Sequence, residues 1–169
     1  MFTIVSCAKV RNIKRIHLIP EILEHLDIDL KWIHIGNENL KSKDTSIPVY
    51  EANKEKLKGK KNIVTEYKGA ISNKDVLDFY KENTINLYIS VSETEGLPVS
   101  MMEVISFGIP ILATNVGGCD EIVTNKAGVL IPKDFDSAKV ANQIKEFRLS
   151  EMNDSNFRDG VRSFLEGKL

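Results

Sequence analysis

Ser90-Val-Ser-Glu-Thr-Glu95-Gly96-Leu97-Pro98-Val99-Ser100-Met-Met-Glu103-Val-Ile-Ser-Phe-Gly108-Ile-Pro110-Ile-Leu-Ala-Thr114-Asn-Val-Gly117-Gly118 is the stretch on which the fold turns. Its order predicts a strand, a turn, a helix opening near Pro98, a second strand and a glycine pair. Proline in the first turn and glycine after the last, at Gly108, are the usual bounds of a helix. Glu95 and Glu103 then stand on either side of the strand-to-helix turn. Exposed amides at a helix start suit a diphosphate. Carboxylates beside them, acceptor-only when ionised, suit sugar and ribose hydroxyls.

Outward from this stretch, strand-like and helix-like patterns alternate. Phe2–Cys7, Leu30–Ile35, Ile63–Tyr67, Ile85–Val91, Ile109–Ala113 and Val129–Ile131 read as strands. Residues 16–26, Tyr50–Lys58, a segment capped by Ser72, Pro98–Phe107, Asp120–Val123, Ser137–Leu149 and Phe157–Leu165 read as helices, and 37–48 as a loop. That rhythm predicts an α/β domain, a Rossmann-like parallel sheet with helices on both faces. Such sheets bind ligands beyond the carboxyl ends of their strands.

Composition narrows the function. With 169 residues and 42% hydrophobic content, the chain suits one domain with a full core. A net charge of -1 gives no argument for nucleic acid. No apolar run approaches the roughly 18 residues of a membrane helix. Met1–Cys7 reads as a strand rather than a signal peptide. Cys7 and Cys119 lack metal-ligand spacing and suit a reducing, cytoplasmic setting. His17, His25 and His34 form no metal pattern, and the lysine run from Lys54 to Lys61 reads as a solvated helix end. Dinucleotide and P-loop fingerprints are absent from the sequence.

The run from Glu95 to Gly118 resembles the donor signature of the retaining glycosyltransferases of family 4, which have the two-domain GT-B fold. Their signature, E-G-(F/L)-(G/P)-x4-E, fits Glu95 to Glu103. The segment from Ala8 to Lys14 is similar to the family's G-R-x4-K loop, with Ala8 for glycine and Lys9 for arginine. Lysine keeps the charge without the bidentate fork, which Arg11 is placed to supply. Of the family's next loop motif, G-x-G, Gly36-Asn37-Glu38 keeps the first glycine.

The resemblance implies that residues 1–169 are the C-terminal, donor-binding half of a GT-B enzyme whose N-terminal acceptor domain lies elsewhere. The implied reaction moves a hexosyl group from a nucleoside-diphosphate sugar to an acceptor hydroxyl, in cell-surface polysaccharide or glycolipid synthesis, with retention. It implies a catalytic position for Glu95, beside the reacting sugar. It implies donor binding by Lys9, Lys14, Gly69, Ala70, Gly96, Leu97, Val99, Ser100 and Glu103. Glu103 would hold the ribose, Lys14 and Lys9 the diphosphate, and Gly69-Ala70 the base through main-chain groups. Neither a cofactor nor a metal is expected. The longer protein's peripheral association with the inner face of the membrane stays open. Two other readings are kept: a GT-B sugar-nucleotide epimerase, and a stand-alone nucleotide-binding module.

Overall fold

A computed structural model describes residues 1–37, 43–150 and 154–166. The strands are β1 (Phe2–Cys7), β2 (Leu30–Ile35), β3 (Ile63–Gly69), β4 (Leu87–Ser90), β5 (Ile111–Thr114) and β6 (Gly128–Ile131). They pair in parallel in the order β3-β2-β1-β4-β5-β6. The order reverses between β1 and β4, leaving a crevice above their carboxyl ends. The loops carrying Lys9–Lys14 and Glu93–Pro98 both start there.

Helices α1 (Leu18–Glu24), α2 (Ser46–Lys58) and α6 (Ser137–Leu149) cover one face. The other face carries α3 (Asn73–Glu82), α4 (Val99–Ser106), α5 (Cys119–Ile122) and α7 (Ser155–Glu166). Strand residues serve both layers by their period of two. Ile4, Leu30 and Trp32 pack with the first group, while Val5, Ile33 and Ile35 pack with the second. One polar network lies in the first layer. The Trp32 indole donates to Ser6 Oγ at 3.0 Å, and Ser6 Oγ lies 2.9 Å from His34 Nδ1. Ser6 and His34 are paired across β1 and β2, which brings these groups together inside an apolar core.

Capping explains the helix starts. Ser72 Oγ accepts from the Asp75 N–H at 3.1 Å, as expected from sequence, and Asp136 Oδ1 accepts from the Lys139 N–H at 2.8 Å. The expected loop at 37–48 needs correction. Residues 38–42 lie outside the described residues, but α2 begins at Ser46, where Asp44 Oδ1 accepts from the Ser46 N–H at 2.9 Å. Pro48 masked this start in the sequence, although proline is tolerated in a first turn, where amides lack helical acceptors. A 3-10 turn at Asn12–Lys14 also replaces what reads as plain loop. Among the described residues no helix is long and apolar enough to cross a membrane.

His17, just before α1, has its Nδ1 buried without a partner. Burial, then the neighbouring Arg15, holds the imidazole below its usual range, with Glu21 and Asp44 opposing. A base whose folded pKa is depressed stabilises the fold while neutral. That contribution is complete above the unfolded value, roughly 6.5, and is lost as pH falls below it toward the folded value. We expect His17→Gln to lose less stability than wild type between about pH 7 and pH 5.5. Urea unfolding at both pH values measures this; equal losses in the two proteins would refute it.

Candidate functional site

The loop after β1 is fastened to the ends of β4 and β6. Arg15 adopts a left-handed conformation with φ 49°. Its Nε donates to the Val91 carbonyl at 2.7 Å, and its Nη2 to the Lys133 carbonyl at 2.9 Å. The Glu93 N–H donates to the Ile13 carbonyl at 2.8 Å. From the other side, the Thr114 hydroxyl at the end of β5 donates to the Ser92 carbonyl at 2.6 Å. Lys14 and Glu95 therefore project from braced backbones, and Lys14 Nζ donates to Glu95 Oε1 at 2.7 Å.

This pair stands in a cavity of about 180 Å³ lined by Cys7, Lys9, Lys14, Tyr88, Glu95 and Ser100, among others. The floor is unreactive. Burial, above all, pushes the Cys7 thiol and the Tyr88 phenol up, so both are neutral near pH 7. Tyr88 donates to the Cys7 carbonyl at 3.2 Å. The chemistry available in the cavity is that of the cations Lys9, Arg11 and Lys14 and the carboxylate Glu95.

Gly117 and Gly118 explain the position of Glu95. Gly117 has φ 55°, and a Cβ there would lie 1.7 Å from the Glu95 carbonyl oxygen. The Gly118 N–H donates to the Gly96 carbonyl at 3.3 Å. The glycine pair, which in sequence signals a tight turn, lies directly against the Glu95–Gly96 backbone. Gly36 has a similar use: a Cβ there would lie 1.9 Å from the Ala8 carbonyl oxygen, so the end of β2 closes against the loop after β1.

The sequence-predicted residues divide into groups. Lys9, Lys14, Glu95 and Ser100 meet at the cavity. Gly96, Leu97 and Val99 are exposed beside it on the approach to α4. The Val99 N–H bonds the Leu97 carbonyl at 2.9 Å, while the Ser100 N–H has no hydrogen-bond partner among the described residues. Ser100 is thus the open amide of this helix start. Glu103, further along α4, does not line the cavity; its Oε1 accepts from Asn73 Nδ2 at 3.0 Å. Gly69 ends β3 and Ala70 follows it, outside the cavity lining, and the Gly69 carbonyl accepts from the Gly36 N–H at 2.9 Å.

Sequence reasoning missed Asn73 and Arg15. Asn73 reads as the residue after a helix cap, and nothing in the sequence links it to Glu103. Arg15 reads as one more basic loop residue, and its left-handed backbone is uncommon outside glycine. Among the described residues no cluster of three or more His, Cys, Asp or Glu side chains could hold a metal ion.

The family model for glycosyl transferases group 1 matches residues 2–163. The Escherichia coli O-antigen biosynthesis glycosyltransferase WbnH is 37% identical over 57 residues, 34% of this chain and 17% of that protein. Among solved structures, Anabaena HepE in complex with UDP and glucose superimposes with a TM-score of 0.81 at 16% identity, covering 99% of this chain and 44% of that one. The C-terminal domain of the Francisella tularensis group 1 protein LpcC gives 0.77 at 16% identity, covering 99% and 85%. The chain thus spans less than half of HepE, and its matched segment under a fifth of WbnH.

Proposed function

The chain belongs to the family described as glycosyl transferases group 1, and from that premise we propose that residues 1–169 are the donor-binding, C-terminal half of a GT-B enzyme of family 4. The reaction is transfer of a hexosyl group from a nucleoside-diphosphate sugar to an acceptor hydroxyl with retention. An N-terminal domain of the longer protein supplies the acceptor site. The observation that carries this reading is the convergence of Lys9, Lys14, Glu95 and Ser100 on one cavity at the reversal of strand order. The UDP and glucose in HepE support a nucleotide-sugar ligand here, and the O-antigen relatives support cell-surface polysaccharide synthesis. The enzyme works in the cytoplasm or at the inner face of the membrane.

The roles follow from charge and position. Lys14, Lys9 and Arg11 neutralise the diphosphate, with the Ser100 amide at the start of α4. Glu95 faces the sugar, where a carboxylate stabilises positive charge developing on the ring. Glu103 receives the ribose hydroxyls, held in place by Asn73. Gly69-Ala70 lies against the base, and Gly96 and Leu97 border the sugar. No metal takes part.

Calorimetry with UDP and GDP tests the reading. We expect wild type to bind at least one of them and Glu103→Ala to bind it about 1–3 kcal/mol more weakly, the usual loss for hydrogen bonds to a charged group. Affinity is expected to be unchanged by EDTA. Equal binding by wild type and variant would remove the ribose role of Glu103. Loss of binding on chelation would replace the cation mechanism with a metal-dependent one.

A further inference from the structure

Three cations and a single carboxylate, Glu95, supply the charge lining the cavity. Among the described residues Lys9 and Arg11 make no ion pair, whereas Lys14 is held by Glu95 at 2.7 Å. The residue assigned to the diphosphate is therefore engaged by the residue assigned to the sugar. We propose that this contact is an exchangeable pair: an incoming diphosphate takes Lys14, and the same event releases Glu95 toward the sugar. The proposal rests on the donor-binding reading above and adds a coupling between its two halves.

Three observations support exchange over a permanent bridge. The Lys14 side chain is 31% exposed and that of Glu95 14% exposed, so solvent and ligand reach the pair from the lysine side. A lysine–carboxylate pair open to solvent on one side is held less firmly than a fully buried one, and a diphosphate offers more charge and more acceptor oxygens. The backbones on both sides are braced, by the Ile13–Glu93 and Arg15–Val91 hydrogen bonds and by Gly117 against the Glu95 carbonyl. The change then falls on side-chain torsions, which the four-carbon stem of lysine readily supplies. Until a diphosphate arrives, Glu95 remains neutralised and turned away from its task.

The experiment is a mutant cycle. Wild type, Glu95→Gln, Lys14→Met and the double variant are titrated with UDP, GDP and ADP. Exchange predicts that Glu95→Gln tightens binding by about two- to fivefold, as expected for release of a partly exposed pair. It also predicts a smaller gain in the Lys14→Met background, where no pair has to be broken. If Glu95 merely repelled phosphate while paired, the gain would be larger in that background, because Lys14 would no longer shield the carboxylate. An equal or larger gain there, or no gain in either, overturns the proposal. Binding of none of the three nucleotides by wild type overturns instead the donor-binding reading on which it stands. A structure of the wild-type protein with its nucleotide gives a check independent of variants. Lys14 Nζ is expected on a phosphate oxygen and beyond about 4 Å, the ion-pair limit, from Glu95; a retained contact overturns the exchange.

Discussion

Gly117→Ala will melt well below wild type and lose nucleotide binding with it. The left-handed backbone at this position strains any residue with a Cβ. The new Cβ would also lie 1.7 Å from the Glu95 carbonyl oxygen, so the Glu95–Gly96 segment must move. Strain and forced repacking together amount to about 2–4 kcal/mol. For a chain of this size that is a fall of roughly 5–15 °C in Tm. The Glu95–Gly96 segment leads into the start of α4, so Glu95 and Ser100 shift together and the cavity they line deforms. Gly96→Ala is the control, because a Cβ there meets nothing within 4 Å; its stability is expected within about 0.5 kcal/mol of wild type. Thermal melts and UDP titrations of both variants measure this. A Gly117→Ala protein melting beside wild type would show that the β5–α5 turn does not hold Glu95.

The second large effect concerns turnover. In the proposed enzyme the reacting carbon lies beside Glu95, at an open edge of the sheet. Transfer needs an acceptor hydroxyl held in line and water kept away. Positioning of this kind contributes several orders of magnitude. We therefore expect residues 1–169 to transfer sugar at least about 10³-fold more slowly than the longer protein that includes an acceptor domain. Product formation with matched donor and acceptor decides it. Comparable turnover by the two proteins would put the acceptor site within this chain.

Much of the architecture was legible because a parallel sheet buried on both faces leaves a strong pattern. Short, largely apolar strands such as Phe2–Cys7 and Leu30–Ile35 have few other uses. Helix starts were clear where a cap was present, as at Ser72, and obscured where proline intervened, as at Pro48. The cavity residues Lys9, Lys14, Glu95 and Ser100 were named from a motif. What the motif does not contain is the supporting structure. The Arg15 clamp and the Asn73–Glu103 hydrogen bond join residues distant in sequence through geometry alone. Nor does the motif show that Lys14 and Glu95 touch, since 81 residues separate them and contact depends on β4 lying beside β1.

That adjacency governs the order of events during synthesis. Lys14 is made 81 residues before Glu95, an interval of about 4–16 s at ordinary translation rates. For most of that interval β1 can pair with β2, but its other edge has no neighbour until β4 is made. An unpaired apolar strand is a template for association with other chains. The nascent protein is therefore vulnerable along the line where the proposed donor site will form, and arrival of β4 both seals the exposed edge and brings the two halves of the cavity together.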